Sequence, residues 1–194
     1  TAIGRTLAAT FDGGGDHLSA EGFTGLGGEA RYTIFMVAAA NANNNLLTGF
    51  ARGNERMRLR DSGFGATYTH TVLAGAASVA SGTGGGYGRN TAHVLTVQRS
   101  PVDTSVWIDG RERVEFEFGT PEPLPPGDIT LTLGADPSGA QGTALAGEIG
   151  ELIIYSGPLD LETRAAVETY LSNKWLGEDI VHDITSVAET ALWL

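Results

Sequence analysis

The sequence predicts an all-β sandwich with one C-terminal helix, and three observations carry that prediction. Glycine fills 28 of 194 positions, about twice the ~7% average, while charged residues make up only 18%. Short alternating or uniformly apolar runs recur along the chain, as in sandwiches and barrels. Compact turn signals separate them: Asp61-Ser62-Gly63, Asp109-Gly110, Pro125-Pro126-Gly127-Asp128 and Asp136-Pro137-Ser138-Gly139. One domain accommodates a chain of this length.

Residues 31–40 (RYTIFMVAAA) are apolar on both parities, which predicts a central strand covered on both faces. Residues 56–60 alternate strictly, with Arg56, Arg58 and Arg60 on one face and Met57 and Leu59 on the other, a half-buried strand. Residues 93–99, 104–109, 113–118, 129–133 and 148–155 read the same way. Asp109-Gly110 between two such runs predicts a hairpin, pairing 106–108 with 113–118 and burying Val114, Phe116 and Phe118 together. A helix is expected over about 161–175, capped by Asp160, with Val167, Tyr170, Leu171 and Trp175 as an apolar stripe against the end or flank of the sandwich. The glycine-rich stretches 25–28 and 81–88 read as loops.

The net charge of −11 excludes a general nucleic-acid binder and disfavours an anionic membrane surface, because both need clustered Lys and Arg. Cysteine is absent, which removes disulfides, thiolate nucleophiles and Cys-ligated zinc. No apolar run approaches the ~18 residues of a membrane span, so no membrane insertion is expected. A chain opening at Thr1 rather than Met is expected to have been processed or cut from something longer.

Several segments fall into a familiar order: Phe11-Asp12-Gly13-Gly14-Gly15-Asp16-His17-Leu18, Tyr32-Thr33-Ile34-Phe35, His93-Val94-Leu95-Thr96-Val97, Val106-Trp107-Ile108-Asp109-Gly110, and Gly147-Glu148-Ile149-Gly150-Glu151-Leu152-Ile153-Ile154-Tyr155. In this order the chain resembles the laminin G-like branch of the concanavalin A-like lectin and glucanase superfamily. The helix that follows, ending Asn173-Lys174-Trp175, is similar to the bacterial and phage variants. The resemblance covers roughly residues 3–177 and implies a jelly roll of two antiparallel sheets. The superfamily includes lectins, polysaccharide hydrolases and lyases, and purely structural modules, so the resemblance does not fix the function.

Catalysis is not expected. Hydrolases of that superfamily carry a Glu-x-Asp-x-Glu strand; here Glu148 and Glu151 fall on opposite parities, and the same-face pair Glu115 and Glu117 reads as an exposed strand face making cross-strand ion pairs. His17, His70, His93 and His182 lack ligand spacing and read as surface or structural histidines. Calcium is a possible cofactor through the resemblance, with Asp12, Asp16, Asp61 and Asp136 at strand ends. The basic segment 52–60 suits the acid groups of a glycan, and its plainer reading is ion pairing with carboxylates on neighbouring strands.

Two loops read as recognition surfaces. Asn43, Asn44 and Asn45 in 41–45 offer amides to sugar hydroxyls, and Tyr87, Arg89 and Asn90 set an aromatic face beside polar groups. Ordinary turn chemistry is the plainer reading of both. The expected function is a non-catalytic binding module for a glycan or protein surface in an extracellular, cell-surface or virion setting. The alternatives are a decorating module of a larger particle and a polysaccharide hydrolase or lyase. Residues 1–177 form the domain and 178–194 an interaction tail, where Ile180, Ile184, Val187, Ala191 and Leu194 follow helix–helix spacing and provide for an oligomer or larger assembly.

Overall fold

The computed structural model describes residues 3, 7–23, 31–41, 45–52, 55–61, 66–72, 77–84, 90–100, 103–117, 129–135 and 144–177. For the strands between 45 and 84, and for residues 23, 103, 104, 112–117 and 129, only the backbone is described. Two six-stranded antiparallel sheets form a jelly roll. The first sheet runs β1 (Ala9–Asp12), β12 (Ala146–Tyr155), β3 (Tyr32–Ala40), β8 (His93–Arg99), β9 (Asp103–Ile108), β10 (Arg111–Glu117). The second runs β2 (Leu18–Phe23), β11 (Ile129–Leu133), β4 (Asn45–Arg52), β5 (Glu55–Asp61), β6 (Ala66–Val72), β7 (Ala77–Gly84).

The apolar run at β3 is explained by its place. It lies between β12 and β8, and every one of its residues is buried. Tyr32, Ile34, Met36 and Ala38 face the second sheet, with Leu95, Val97, Val106, Ile108 and Ile149 beside them and Leu131 and Leu133 packed from across. Phe35, Val37 and Ala39 belong to the other face, with Val94 of β8 beside them, and Leu171 and Trp175 close over them.

That second covering is the helix α1 (Leu161–Leu171), followed by a π-helical turn, Ser172–Leu176. Asp160 caps α1 as expected, accepting the Thr163 N–H at 2.7 Å. The helix lies across the outer face of the first sheet, on β3 and β8, rather than on the end or flank of the sandwich. Its expected stripe also needs correction. Leu171 and Trp175 are buried, but Tyr170 is 47% exposed, and the charged Arg164 and Glu168 take the sheet-facing positions. The buried positions Arg164, Glu168, Leu171 and Trp175 are spaced 4, 3 and 4, a single helical face of their own, and Tyr170 falls beside that face rather than on it.

The hairpin forms where Asp109-Gly110 predicted it, with positive φ at both residues (52° and 72°). Its register differs from a simple ladder. Arg111 pairs with Ile108 and Val114 with Val106, and the shift between Glu112 and Val114 inserts one residue on β10. The side chains of Val114 and Phe116 lie outside the described residues, as does Phe118 altogether. Two loop boundaries shift as well: Asn45 begins β4, and residues 81–84 of the glycine-rich stretch belong to β7. Both stretches use residues that favour turns, but neighbouring strands offer hydrogen-bond ladders that outweigh that preference.

Two glycines in the β12 segment serve close approach. A Cβ on Gly147 would collide with the Ala39 carbonyl, and one on Gly150, at a register shift, would come within 2.8 Å of the Trp175 ring. The absence of a side chain at 150 is what leaves a seat for the indole.

Candidate functional site

The strand order brings several loops to one end of the sandwich. Asn41, just past β3, donates its N–H to the Ala146 carbonyl at 2.7 Å, and Asn90, just before β8, donates to the Ala40 carbonyl at 2.9 Å. The 41–45 loop therefore begins where the loop preceding β8 ends, about 5 Å away across one strand spacing. The β1 turn joins them, since Asp12 pairs with Ala146 and its carboxylate takes the Gly14 N–H at 2.6 Å. Asn90 is exposed at a φ of 59°, a left-handed conformation that asparagine tolerates better than most residues.

Beside this rim, Asp109 ties the hairpin turn to β8. Its carboxylate accepts the Val94 N–H at 2.9 Å and the His93 Nδ1–H at 2.6 Å, while its own N–H donates to the Val94 carbonyl at 2.9 Å. His93 is only 9% exposed, and His17 is an exposed residue whose ring nitrogen lies 3.1 Å from the Gly15 carbonyl. The pairing of His93 with Asp109 was not read from the sequence. The only available signal was a histidine opening one strand and an aspartate closing its neighbour.

Of the expected binding residues, Asn90 is on the rim with its backbone fixed. Asn45 is described as backbone only, at the start of β4, and Asn43, Asn44, Tyr87 and Arg89 lie outside the described residues. So does the 178–194 tail. Topology brings Asn41 and Asn90 together, which their separation in sequence did not announce.

A second polar cluster lies under the helix. Arg164 reaches both Glu168 oxygens at 3.1 and 3.3 Å, and the Thr96 hydroxyl donates to Glu168 at 2.7 Å. The guanidinium stacks 4.1 Å from the Trp107 ring. Glu168 is 0% exposed, so this i, i+4 pair, which in sequence resembles a solvated helix face, is instead the buried polar seam between helix and sheet.

A third cluster closes the helix end. Glu151 accepts the Trp175 Nε1–H at 2.6 Å and Lys174 Nζ–H at 2.8 Å, and the Lys174 ammonium also donates to the Tyr170 hydroxyl at 2.8 Å. Burial acts to raise the Glu151 carboxyl, but hydrogen bonds from Lys174, Trp175 and Tyr170 and the Lys174 charge outweigh it, leaving the group below its ordinary value. The same bond to Glu151 holds Lys174 above its ordinary value. Asp160 is lowered by the Thr163 backbone N–H it caps.

Among the described residues, no three His, Asp or Glu side chains come together as a metal site. Asp12 spends an oxygen on Gly14, and the side chain of Asp61 and all of Asp136 lie outside them. No described helix is long and apolar enough to cross a membrane.

No family model matches the chain, and no curated protein matches it in sequence. Solved structures do. The heptameric SAP-like pentraxin of Limulus polyphemus is 12% identical with a TM-score of 0.61, over 86% of this chain and 82% of that one. The CBM40 of the Ruminococcus gnavus IT-sialidase, solved bound to α2,3-sialyllactose, is 12% identical with a TM-score of 0.56, over 72% and 83%. Mouse laminin α1 domains LG4-5 are 16% identical with a TM-score of 0.62, over 84% of this chain and 45% of that one. The chain has the concanavalin A-like jelly-roll fold.

Proposed function

We propose that this chain is a non-catalytic, glycan-binding module of laminin G-like type, related to the bacterial and phage variants and working in an extracellular, cell-surface or virion setting. The observation that supports the reading is that Asn41 and Asn90 stand next to each other on one rim, at the ends of the adjacent strands β3 and β8, so the segments carrying Asn43, Asn44, Tyr87 and Arg89 start from neighbouring points of the fold. A sugar offers hydroxyls to amides and a flat apolar face to an aromatic ring, and loops on a rigid sandwich are where such groups are presented. A similarly folded CBM40 was solved with a sialylated sugar, which supports a glycan as the ligand class.

A glycan array probed with the full chain tests this. Binding is expected, and Tyr87→Ala with Asn90→Ala should abolish it in a variant that still folds, melting somewhat lower because alanine at the left-handed position 90 costs about 1 kcal/mol. An unchanged array signal from the folded double variant removes these loops from the site. Incubation with neutral and acidic polysaccharides should release no reducing ends.

A further inference from the structure

The segment 52–60 is the chain's one basic concentration, and the sheet register decides what surrounds it. Arg56, Arg58 and Arg60 alternate with Met57 and Leu59 along β5. The two acids of that strand, Glu55 and Asp61, fall on the methionine–leucine parity rather than the arginine parity. Across the ladder to β4 the arginines pair with Ala51, Gly49 and Leu46, and across the ladder to β6 with Thr71, Thr69 and Thr67. The next ladder adds Ser78, Ser81 and Thr83 of β7. No carboxylate stands among these register partners, so the cross-strand ion pairing expected from the sequence does not account for the arginine row.

The parity also fixes which face this is. Leu131 and Leu133 pack into the core and pair with Phe50 and Thr48, which pair in turn with Met57 and Leu59. The arginine parity is therefore the outer one. Thr132, on that parity at β11, is 4% exposed; the arginine row and its hydroxyl-bearing register partners lie on β5, β6 and β7. Among the described elements, the helix packs on β3 and β8 of the other sheet.

We infer that the outer face of the second sheet binds a carboxylate-bearing glycan along the row Arg56, Arg58 and Arg60, with the threonines of β6 flanking it. The inference rests on the glycan reading above and assigns it a second surface and a ligand class. Same-parity positions on a strand repeat about every 7 Å, so the row spans roughly 13 Å. An extended chain carrying several acid groups can reach more than one guanidinium along it. A guanidinium fork takes a planar carboxylate through two parallel bonds, and hydroxyl-bearing neighbours suit a polyhydroxylated ligand. Nucleic acid is the poorer fit, because its charge is dense and the chain carries −11 overall.

Titration calorimetry of the full chain with a short oligogalacturonate, a sulfated oligogalactan, a neutral oligogalactan and single-stranded DNA tests it. The oligogalacturonate should bind best, and more weakly at high salt. Arg58→Gln should weaken it roughly tenfold, and Arg56→Gln with Arg58→Gln and Arg60→Gln should abolish it. Arg58→Lys, which keeps the charge and loses the fork, should recover only part of the loss and guards against a folding artefact. Equal binding by a folded triple variant overturns the inference, as do preference for DNA and binding that emerges only when residues 178–194 are deleted. The Tyr87→Ala, Asn90→Ala variant separates the two surfaces. Neutral-sugar binding lost there with no acidic-glycan binding leaves the rim and removes the arginine face, and the converse removes the rim alone.

Discussion

The two faces of the first sheet are held by different chemistry. The inner face meets the second sheet through Ile34, Met36, Leu95, Val97, Val106 and Ile108, where fit depends on volume and parity. The outer face meets the helix through Phe35, Val37 and Val94, but also through the Arg164–Glu168–Thr96 seam and the Glu151–Trp175 bond. Apolar burial makes two layers adhere without saying where along each other they sit. Directed bonds to Thr96, on β8, and Glu151, on β12, fix the helix at one place on an otherwise featureless apolar sheet.

The sharpest way to break this comparison is Glu168→Ala. It leaves the Arg164 charge buried opposite Thr96 and should cost about 3–5 kcal/mol, whereas replacing Arg164 by Met and Glu168 by Leu together should cost far less. Denaturant melts of both variants check this; equal losses would mean that the seam adds nothing beyond packing. Leu95→Ala, on the inner face, should cost about 2–5 kcal/mol with no such rescue by a second substitution.

A smaller effect is expected at Glu151, whose loss as Gln should cost about 1 kcal/mol near neutral pH. Its folded pKa is depressed, so its stabilisation is present above the ordinary carboxylate value of 4.5 and is lost as pH falls through the folded value. Lys174 is raised, so its part is present below 10.5 and is lost as pH climbs through the folded value. Thermal melts of wild type and Glu151→Gln should thus differ between those limits and converge in acid. The smallest expected effect is Asp160→Ala, which removes one capping bond and should lower the melting temperature slightly, leaving the inner-face variants unaffected in additivity tests.

Where the sequence was legible, period and chemistry agreed. β3, β8, β12 and the Asp109-Gly110 turn could be read because burial on two faces, alternation and a demand for positive φ each leave a distinct trace. β2, β6 and β7 could not, since ATYTHTV and ASVASGTG carry too little apolar contrast to mark a face. The seat of the helix was missed for a related reason. Arg164 and Glu168 carry opposite charges one turn apart, which is also how a solvated face is written, and only the sheet beneath them distinguishes the two. The rim was half legible: composition named Asn90, while its adjacency to Asn41 depends on strand order.

That strand order also shapes how the chain must be made. In the second sheet, β4 through β7 pair with their immediate successors and can zip as they leave the ribosome. In the first, Ala40 pairs with Gly147, so β3 waits for β12 through about 5–20 s of translation at ordinary elongation rates. For that interval one edge of a nine-residue, largely apolar strand has no native partner, and it is the kind of edge that recruits other nascent chains. Biogenesis of this domain therefore places its greatest aggregation hazard on β3, and synonymous slowing or chaperone capture between residues 99 and 146 is where yield would be won or lost.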